Sequence, residues 1–273
     1  MIRPAICNEL FEGWPLARVC EVVKKLGYEG LEIAPFTLAA RITDFTASQR
    51  REARATIVDS GLKTVGLHWL LAKTEGFHLT SPDASMRRRT ADYLIALAEA
   101  TADLGGTLMV LGSPKQRDLM PGVSTEQALD YAAEVLGAIL AALDASEVDL
   151  CLEPLGPAET NFLNSLAEAD TLRSMLEHPR VKLHLDVKAM STDPGGTIPE
   201  LIRLYGPEAG HLHVQDPTTL QGPGMGPLDF GPILKAVAAS GYAGWTSVEV
   251  FDFTPGAEAI ASASIDALRG RTG

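Results

Sequence analysis

The chain has 273 residues, of which 46% are hydrophobic and 21% are charged. These fractions are typical of globular proteins and argue against a disordered chain. The 35 acidic side chains outnumber the 23 basic ones, and the resulting formal net charge of −12 argues against a surface that binds nucleic acid.

Cysteine content and hydropathy indicate a cytoplasmic protein. Cys7, Cys20 and Cys151 are widely spaced and form no CxxC pair, a pattern that indicates neither a disulfide framework nor a structural zinc site. The N-terminal segment contains acidic residues and no long apolar run, unlike a signal peptide. No apolar stretch approaches the roughly 20 residues of a membrane helix, so we expect no membrane partner.

Short apolar runs bounded by Gly, Pro or polar residues recur along the whole chain and predict β-strands. The predicted strands are Ala5–Asn8, Gly30–Ala34, Thr64–Trp69, Thr107–Leu111, Val148–Glu153, Val181–Val187, Gly210–Val214 and Thr246–Phe251.

Segments with apolar residues at i, i+3, i+4 and i+7 lie between these strands and predict helices. The first, Leu16–Leu26, is followed by Gly27, a typical helix terminator. Tyr93–Ala102, Tyr131–Leu143 and the last segment, Ala257–Leu268, show the same periodicity.

Eight strand–helix units predict an α/β fold, a single (β/α)₈ TIM barrel over residues 1–273. The alternative is an open doubly wound sheet, which would carry a Gly-rich dinucleotide turn after its first strand. This chain has CNELFEGW there and therefore lacks the GxGxxG pattern.

Four polar residues end the last four predicted strands: Glu153, Asp186, His213 and Glu249. Active sites of barrels lie at the carboxyl ends of the strands, and the alternation of side chains predicts that these four converge there. Three carboxylates packed together repel one another unless they are protonated or bind a metal. Their O,O,O,N donor set favours a divalent cation, Mn²⁺ first and Mg²⁺ or Co²⁺ next. The alternative for any single acid is a helix cap or a surface residue.

In these segments the chain resembles the xylose-isomerase-like barrels of sugar isomerases and epimerases, in particular ketose 3-epimerases and hydroxypyruvate isomerases. LEPLGPAETNF is similar to the family's fifth-strand segment, which implies that Glu153 binds metal and Glu159 binds substrate. HLDVKAM and GHLHVQD are similar to the sixth- and seventh-strand segments and supply Asp186 and His213. GPGMGPLDFGPILKAVAASGYAGWTSVEVF is similar to the loop, helix and strand that follow, and it contains Glu249.

The resemblance implies a metal-dependent isomerase or epimerase of a small carbohydrate, a keto-sugar or sugar acid. Glu153 and Glu249 would transfer the proton on the carbon next to a carbonyl, through an enediolate, while the metal holds the carbonyl oxygen. The family also suggests a homo-oligomer, either a dimer or a tetramer. Ketose epimerases have a His at the position of Ala189 and an Arg at the position of Thr219, and both differences argue against a free ketohexose as substrate.

Further candidate substrate contacts follow the third, fourth and sixth strands. Trp69 would form an apolar wall for a sugar, and His68 would contact a hydroxyl group. Lys115, Arg117 and Lys188 suggest an anionic substrate, because charge-assisted hydrogen bonds hold carboxylates and phosphates. The alternatives are a hydrogen-bonded histidine at the rim and a solvated loop with local ion pairs.

His184 and His211 share the inward direction of the predicted ligands but lie one residue pair deeper in their strands. We therefore expect them to support the site rather than to bind the metal.

Other functions use the same barrel. A lyase or dehydratase acting on a keto-sugar or keto-inositol would share the metal and the base but expel a hydroxyl group. An apurinic-site endonuclease with three zinc ions would need more histidines than the six present here. A non-catalytic binding barrel would not need the four convergent ligand positions.

Overall fold

A computed structural model describes residues 2–270, which fold into a closed barrel of eight parallel strands. The strands are β1 (Arg3–Cys7), β2 (Gly30–Ile33), β3 (Lys63–Leu67), β4 (Leu108–Leu111), β5 (Asp149–Leu152), β6 (Val181–Asp186), β7 (Ala209–Val214) and β8 (Trp245–Val248). Strands that follow one another along the chain pair in the barrel, and β8 pairs with β1 to close it. The predicted (β/α)₈ TIM barrel is confirmed.

Ten α-helices connect the strands within residues 2–270. They are α1 (Leu16–Leu26), α2 (Ala47–Asp59), α3 (Ala84–Asp103), α4 (Thr125–Gly137), α5 (Leu140–Ser146), α6 (Leu166–Leu176), α7 (Val187–Met190), α8 (Ile198–Tyr205), α9 (Phe230–Ala239) and α10 (Ala257–Leu268). The predicted helix Tyr131–Leu143 is two helices, α4 and α5. The break follows Gly137, and glycine is a poor helix former.

Local sequence accounts for several helix ends. The α1 helix ends at Gly27, whose φ of 98° suits glycine and lets its N–H bond the carbonyl of Lys24. Capping boxes begin α2 at Thr46 and α4 at Ser124, each with a glutamine three residues later.

The last strand is shorter than predicted. β8 ends at Val248 rather than Phe251. The N–H groups of Phe251 and Asp252 leave the sheet and donate to the carbonyl of Leu220, 2.8 and 3.0 Å away. Residues 249–252 therefore belong to the mouth of the barrel, next to the loop that follows β7.

The barrel interior is apolar at one end and polar at the other. An apolar cluster fills the lower part, formed by Ala5, Val65, Leu108, Val110, Cys151 and Trp245. Toward the carboxyl ends of the strands the fully buried residues include Glu32, His184 and His211. Burying charged groups is costly unless they have partners. The polar end of the barrel is therefore the candidate location of a functional site. Among residues 2–270, no helix has the length and apolar character needed to cross a bilayer.

Candidate active site

Three of the four predicted metal ligands lie together at the carboxyl end of the barrel. Glu153, Asp186 and His213, together with His184, each offer a ligand atom within 4.8 Å of the others, and all four are buried. The fourth predicted ligand, Glu249, is outside this group of four but adjoins it, with Oε2 3.2 Å from His213 Nδ1.

Glu153 depends on a glycine in the neighbouring strand end. It follows β5 and lies beside Gly112, which follows β4. A Cβ atom at position 112 would lie 1.4 Å from Glu153 Oε2, so no other residue fits there without moving the carboxylate. Glycine at the end of β4 thus makes room for the acid at the end of β5.

Both carboxylate oxygens of Asp186 are held by hydrogen bonds. Asp186 ends β6 and caps the short helix α7, where Oδ1 accepts from the N–H of Ala189 at 2.7 Å. Its Oδ2 accepts from Gln215 Nε2, also at 2.7 Å. The position of the backbone and one amide side chain therefore determine the direction of this carboxylate.

Glu32 orients His213, one of the two histidines of the group. Its two oxygens lie 3.0 Å from His213 Nε2 and 2.7 Å from His211 Nε2. Burial opposes the ionisation of Glu32, but these two imidazoles override it and hold its pKa well below the usual range. The ionised carboxylate accepts from the Nε2–H of His213, which turns Nδ1 toward Glu249.

The pKa values of the three carboxyl groups of the site are shifted in different directions. Burial, reinforced by the charges of Glu249 and Asp186, raises the pKa of Glu153 well above its usual value. Burial and the charge of Glu249 also raise the pKa of Asp186. Burial acts in the same direction on Glu249, but the adjacent His213 outweighs it and lowers the pKa of Glu249.

The donor set suits a divalent cation. His184 is fully buried, and neither of its ring nitrogens has a hydrogen-bond partner within residues 2–270. The Nε2 atom of His184 lies 3.7 Å from Glu153 Oε1. Burial and the neighbouring His213 and His211 lower the pKa of His184 well below its usual value. A neutral imidazole beside two mutually repelling carboxyl groups is a set that a cation stabilises.

Glu159 and Lys188 form an ion pair beside the cluster. Lys188 Nζ lies 2.5 Å from Glu159 Oε1 and 4.6 Å from the centre of the Phe251 ring. Both residues line one small pocket with Glu153 and Glu249. Burial favours the neutral amine of Lys188, but Asp186 and Glu159 outweigh it and raise the pKa of Lys188. Its charge is therefore already paired within the protein.

Trp69 lines this small pocket, whereas His68 is buried beside Glu9 and the ring of His213. Trp69 has a φ of 53° and places its ring 6.1 Å from the ring of Phe251. His68 is 1% exposed, and its Nε2 lies 2.8 Å from Glu9 Oε2. One ring nitrogen of His68 therefore contacts Glu9, and Nδ1 has no hydrogen-bond partner within residues 2–270.

Arg117 differs most from its predicted role as an anion contact. It is 1% exposed, and its guanidinium donates to the carbonyl of Glu153 at 2.6 Å and to the carbonyl of Leu111. Burial lowers its pKa to about 10. The side chain ties the ends of β4 and β5 together, because a buried guanidinium needs acceptors and the strand-end carbonyls supply them. Lys115 is exposed and lines a second, larger cavity together with Trp69 and Phe251.

Sequence reasoning missed Glu32 and Glu9. It predicted a supporting role for His184, and the structure places a ring nitrogen of His184 within 4.8 Å of the ligand atoms of Glu153, Asp186 and His213. Glu32 stands in the apolar strand GLEI with 0% exposure. The alternation of side chains along a strand, which identifies the polar residues at the ends of β5 to β8, applies to β2 as well. The sequence therefore contained a signal for Glu32. Glu9 follows β1 in a short 3₁₀ helix, where side chains do not alternate between two faces as they do in a strand.

Comparison with known proteins identifies relatives over most of the chain. A Streptomyces coelicolor protein named "Putative hydroxypyruvate isomerase" is 26% identical over 208 residues, which are 72% of each chain. Fructoselysine 3-epimerase of Shigella flexneri is 22% identical over 242 residues, covering 86% of this chain and 85% of that protein. The structure of D-psicose 3-epimerase from Clostridium cellulolyticum H10 matches with a TM-score of 0.86 at 22% identity, over 99% of both chains.

A family model matches nearly the whole chain. The model described as xylose isomerase-like TIM barrel matches residues 20–271. This range contains seven of the eight strands and all four predicted metal ligands. The chain therefore belongs to the xylose isomerase-like TIM-barrel family.

Proposed function

We propose that this protein is a divalent-metal-dependent isomerase or epimerase of a small carbohydrate. One observation carries the proposal: Glu153 and Glu249 line the same small pocket, next to a buried group of carboxylate and imidazole ligand atoms. The names of its relatives, two 3-epimerases and a hydroxypyruvate isomerase, support a substrate with a carbonyl group.

Glu153 and Glu249 are suited to transfer a proton as a pair. Their surroundings raise the pKa of Glu153 and lower that of Glu249, a difference typical of acid–base pairs. We infer that the pair removes the proton from the carbon next to the substrate carbonyl and returns one, by way of an enediolate. Three further residues line the same pocket: Glu159, Lys188 and Trp69. Glu159 and Lys188 would orient the hydroxyl groups of the sugar, and Trp69 would cover one of its faces.

Glu153, Asp186 and His213 would hold the cation, together with Glu249 or His184. Mn²⁺ is the first candidate, and Mg²⁺ and Co²⁺ follow, because oxygen and imidazole donors suit these ions. A cation bound there would act as a Lewis acid that polarises the carbonyl group and acidifies the neighbouring C–H bond. Asp186 and His213 are held by Gln215 and Glu32, so the chain orients both ligands in advance.

The charges of the pocket favour a substrate that is neutral at its reacting end. Lys188 is paired with Glu159, and Arg117 is paired with main-chain carbonyls. The inner pocket therefore presents three carboxyl groups and one already paired ammonium group. This arrangement does not support the expectation of an anionic group at that position.

The proposal is tested by turnover of a panel of ketoses and keto-acids in D₂O, before and after chelation. Proton transfer through the protein would place deuterium on the carbon next to the carbonyl group, and chelation would abolish turnover. A product lighter by one water would instead support the lyase.

Two isosteric variants test the roles of the glutamates. Glu249→Gln and Glu153→Gln should each lower kcat by about 10²–10⁴-fold, because each loses a group that carries the proton. Glu126→Gln, an exposed change in α4, serves as the control. Full activity of Glu249→Gln would reject the assignment.

A further inference from the structure

The inner pocket opens into a larger cavity that the proposed reaction does not use. This outer cavity has a volume of about 450 Å³, within the range that binds small molecules. The inner pocket is much narrower than this cavity. Trp69, Pro114 and Phe251 line both, so the two spaces are continuous.

Four aromatic rings form the walls of the outer cavity: Phe36, Trp69, Phe251 and Phe253. They come from three segments, after β2, β3 and β8, and the rings of Trp69 and Phe251 lie 6.1 Å apart at the junction with the inner pocket. Such rings bind planar or apolar groups through burial and stacking.

Three of the four charged side chains that line the outer cavity form ion pairs within the protein. Lys73 Nζ lies 2.8 Å from Glu12 Oε1 and 4.0 Å from the centre of the Phe36 ring. Glu9 is paired with His68. The cavity therefore offers apolar surface rather than an unpaired charge to a ligand, apart from Lys115 at its rim.

Two features of the walls are unfavourable in the free protein. Phe253 is 44% exposed, which leaves a large aromatic ring in contact with water. Trp69 has a φ of 53°, a left-handed conformation that is unusual for a tryptophan. Backbone strain of this kind is common at sites that bind ligands.

We propose that the substrate is a keto-sugar that carries an uncharged, planar apolar substituent, which lies between Phe36, Trp69, Phe251 and Phe253. This inference rests on the proposed function, because the sugar end must lie at Glu153 and Glu249. It specifies the substrate as a sugar conjugate rather than a free ketose. The reacting end would lie against Glu153 and Glu249, and the outer cavity would hold the remainder.

Binding of unreactive sugars tests this without turnover. Calorimetric titration of the Mn²⁺-loaded protein compares phenyl β-D-glucopyranoside with methyl β-D-glucopyranoside. The phenyl glucoside should bind at least about tenfold more tightly, because its ring is buried among aromatic side chains. Quenching of tryptophan fluorescence should accompany the phenyl compound, since Trp69 lies in the wall.

Variants of two separate segments keep the test decisive. Phe253→Ser and Phe36→Ser should each bring the ratio of the two affinities toward one. Leu204→Ser, a change of a 66% exposed residue on α8, should leave the ratio unchanged. Equal affinities in the native protein, no binding of the phenyl glucoside at millimolar concentration, or a ratio that both variants preserve would overturn the proposal.

The two proposals fail in distinguishable ways. Tighter binding of the phenyl glucoside that both variants reduce, without turnover of any keto-sugar, would reject the reaction and keep the aromatic site. Metal-dependent turnover of free ketoses with no preference for the phenyl glucoside would reject the conjugate and keep the reaction.

Discussion

At the scale of single residues, the site depends on side chains that contact the proposed ligands rather than on the ligands alone. Glu32 bonds His213 and His211 from the interior of the barrel. Gly112 leaves the space that Glu153 occupies. A carboxylate behind a ligating histidine is a common arrangement, because it selects the tautomer and the direction of the ring.

We therefore expect Glu32→Gln to weaken Mn²⁺ binding by about 10–100-fold, the effect typical of lost support behind a ligand. The amide has one acceptor oxygen and cannot accept from both histidines as the carboxylate does. Calorimetric titration of the chelated protein with Mn²⁺ measures the change, with Glu126→Gln as the control. Unchanged affinity in a folded Glu32→Gln protein would contradict the role of Glu32.

At the scale of secondary-structure elements, buried polar side chains hold the strand ends and loops at the mouth of the barrel. Arg117 joins the ends of β4 and β5, and Asp216 organises the loop after β7. Gly226 packs against Asp216, where a Cβ atom would lie 2.2 Å from the carboxyl carbon.

Arg117→Met should lower the free energy of unfolding by about 3 kcal/mol, because two buried carbonyl groups lose a charged donor. Urea unfolding measures the loss, and Lys115→Met at the exposed neighbouring position should change stability little. Native stability, together with a raised KM for anionic substrates alone, would restore Arg117 as a substrate contact.

Asp216→Asn should destabilise the protein at neutral pH by about 1–3 kcal/mol. Burial opposes the ionisation of Asp216, but the N–H groups of Leu228, Thr219 and Thr218 override it and lower its pKa. A lowered pKa contributes stability that is present above the unfolded value of about 3.9 and is lost as pH falls through the folded value.

The difference between native protein and Asp216→Asn should therefore shrink as the pH falls below about 4. Urea unfolding at neutral and acidic pH measures it. A difference that is constant with pH would mean that the charge of Asp216 is not what holds the loop.

At the scale of the whole molecule, cation binding should stabilise the barrel because the ligands come from distant parts of the chain. Mn²⁺ at about 100 times its Kd should add about 2.7 kcal/mol. For a chain of this size that corresponds to a rise of about 5 °C in Tm. Scanning calorimetry of chelated protein, with and without Mn²⁺, measures the shift.

Asp186→Asn is the matched control, since it retains the shape of the ligand and loses its charge. It should show a smaller shift than the native protein. No shift in the native protein with Mn²⁺, Mg²⁺ or Co²⁺ would mean that the buried acids are structural.

The order of strands and helices could be predicted from sequence because it depends on short-range periodicity. Apolar runs of strand length alternate with amphipathic segments, and each observed strand overlaps a predicted one. The alternation of side chains likewise brings Glu153, Asp186 and His213 to one end of the barrel. Boundaries were less predictable: β8 ends early because Phe251 bonds a loop that is distant in sequence.

Only the tertiary structure decided which polar groups pair with each other. Arg117 and Lys188 look equally available in the sequence, yet one is bonded to strand-end carbonyls and the other to Glu159. Sequence by itself determined the barrel and the residue types at its carboxyl end, because both follow from local patterns. The partners of buried charges were decided by contacts between strands far apart in the chain, since desolvation makes each charge depend on the nearest group in space.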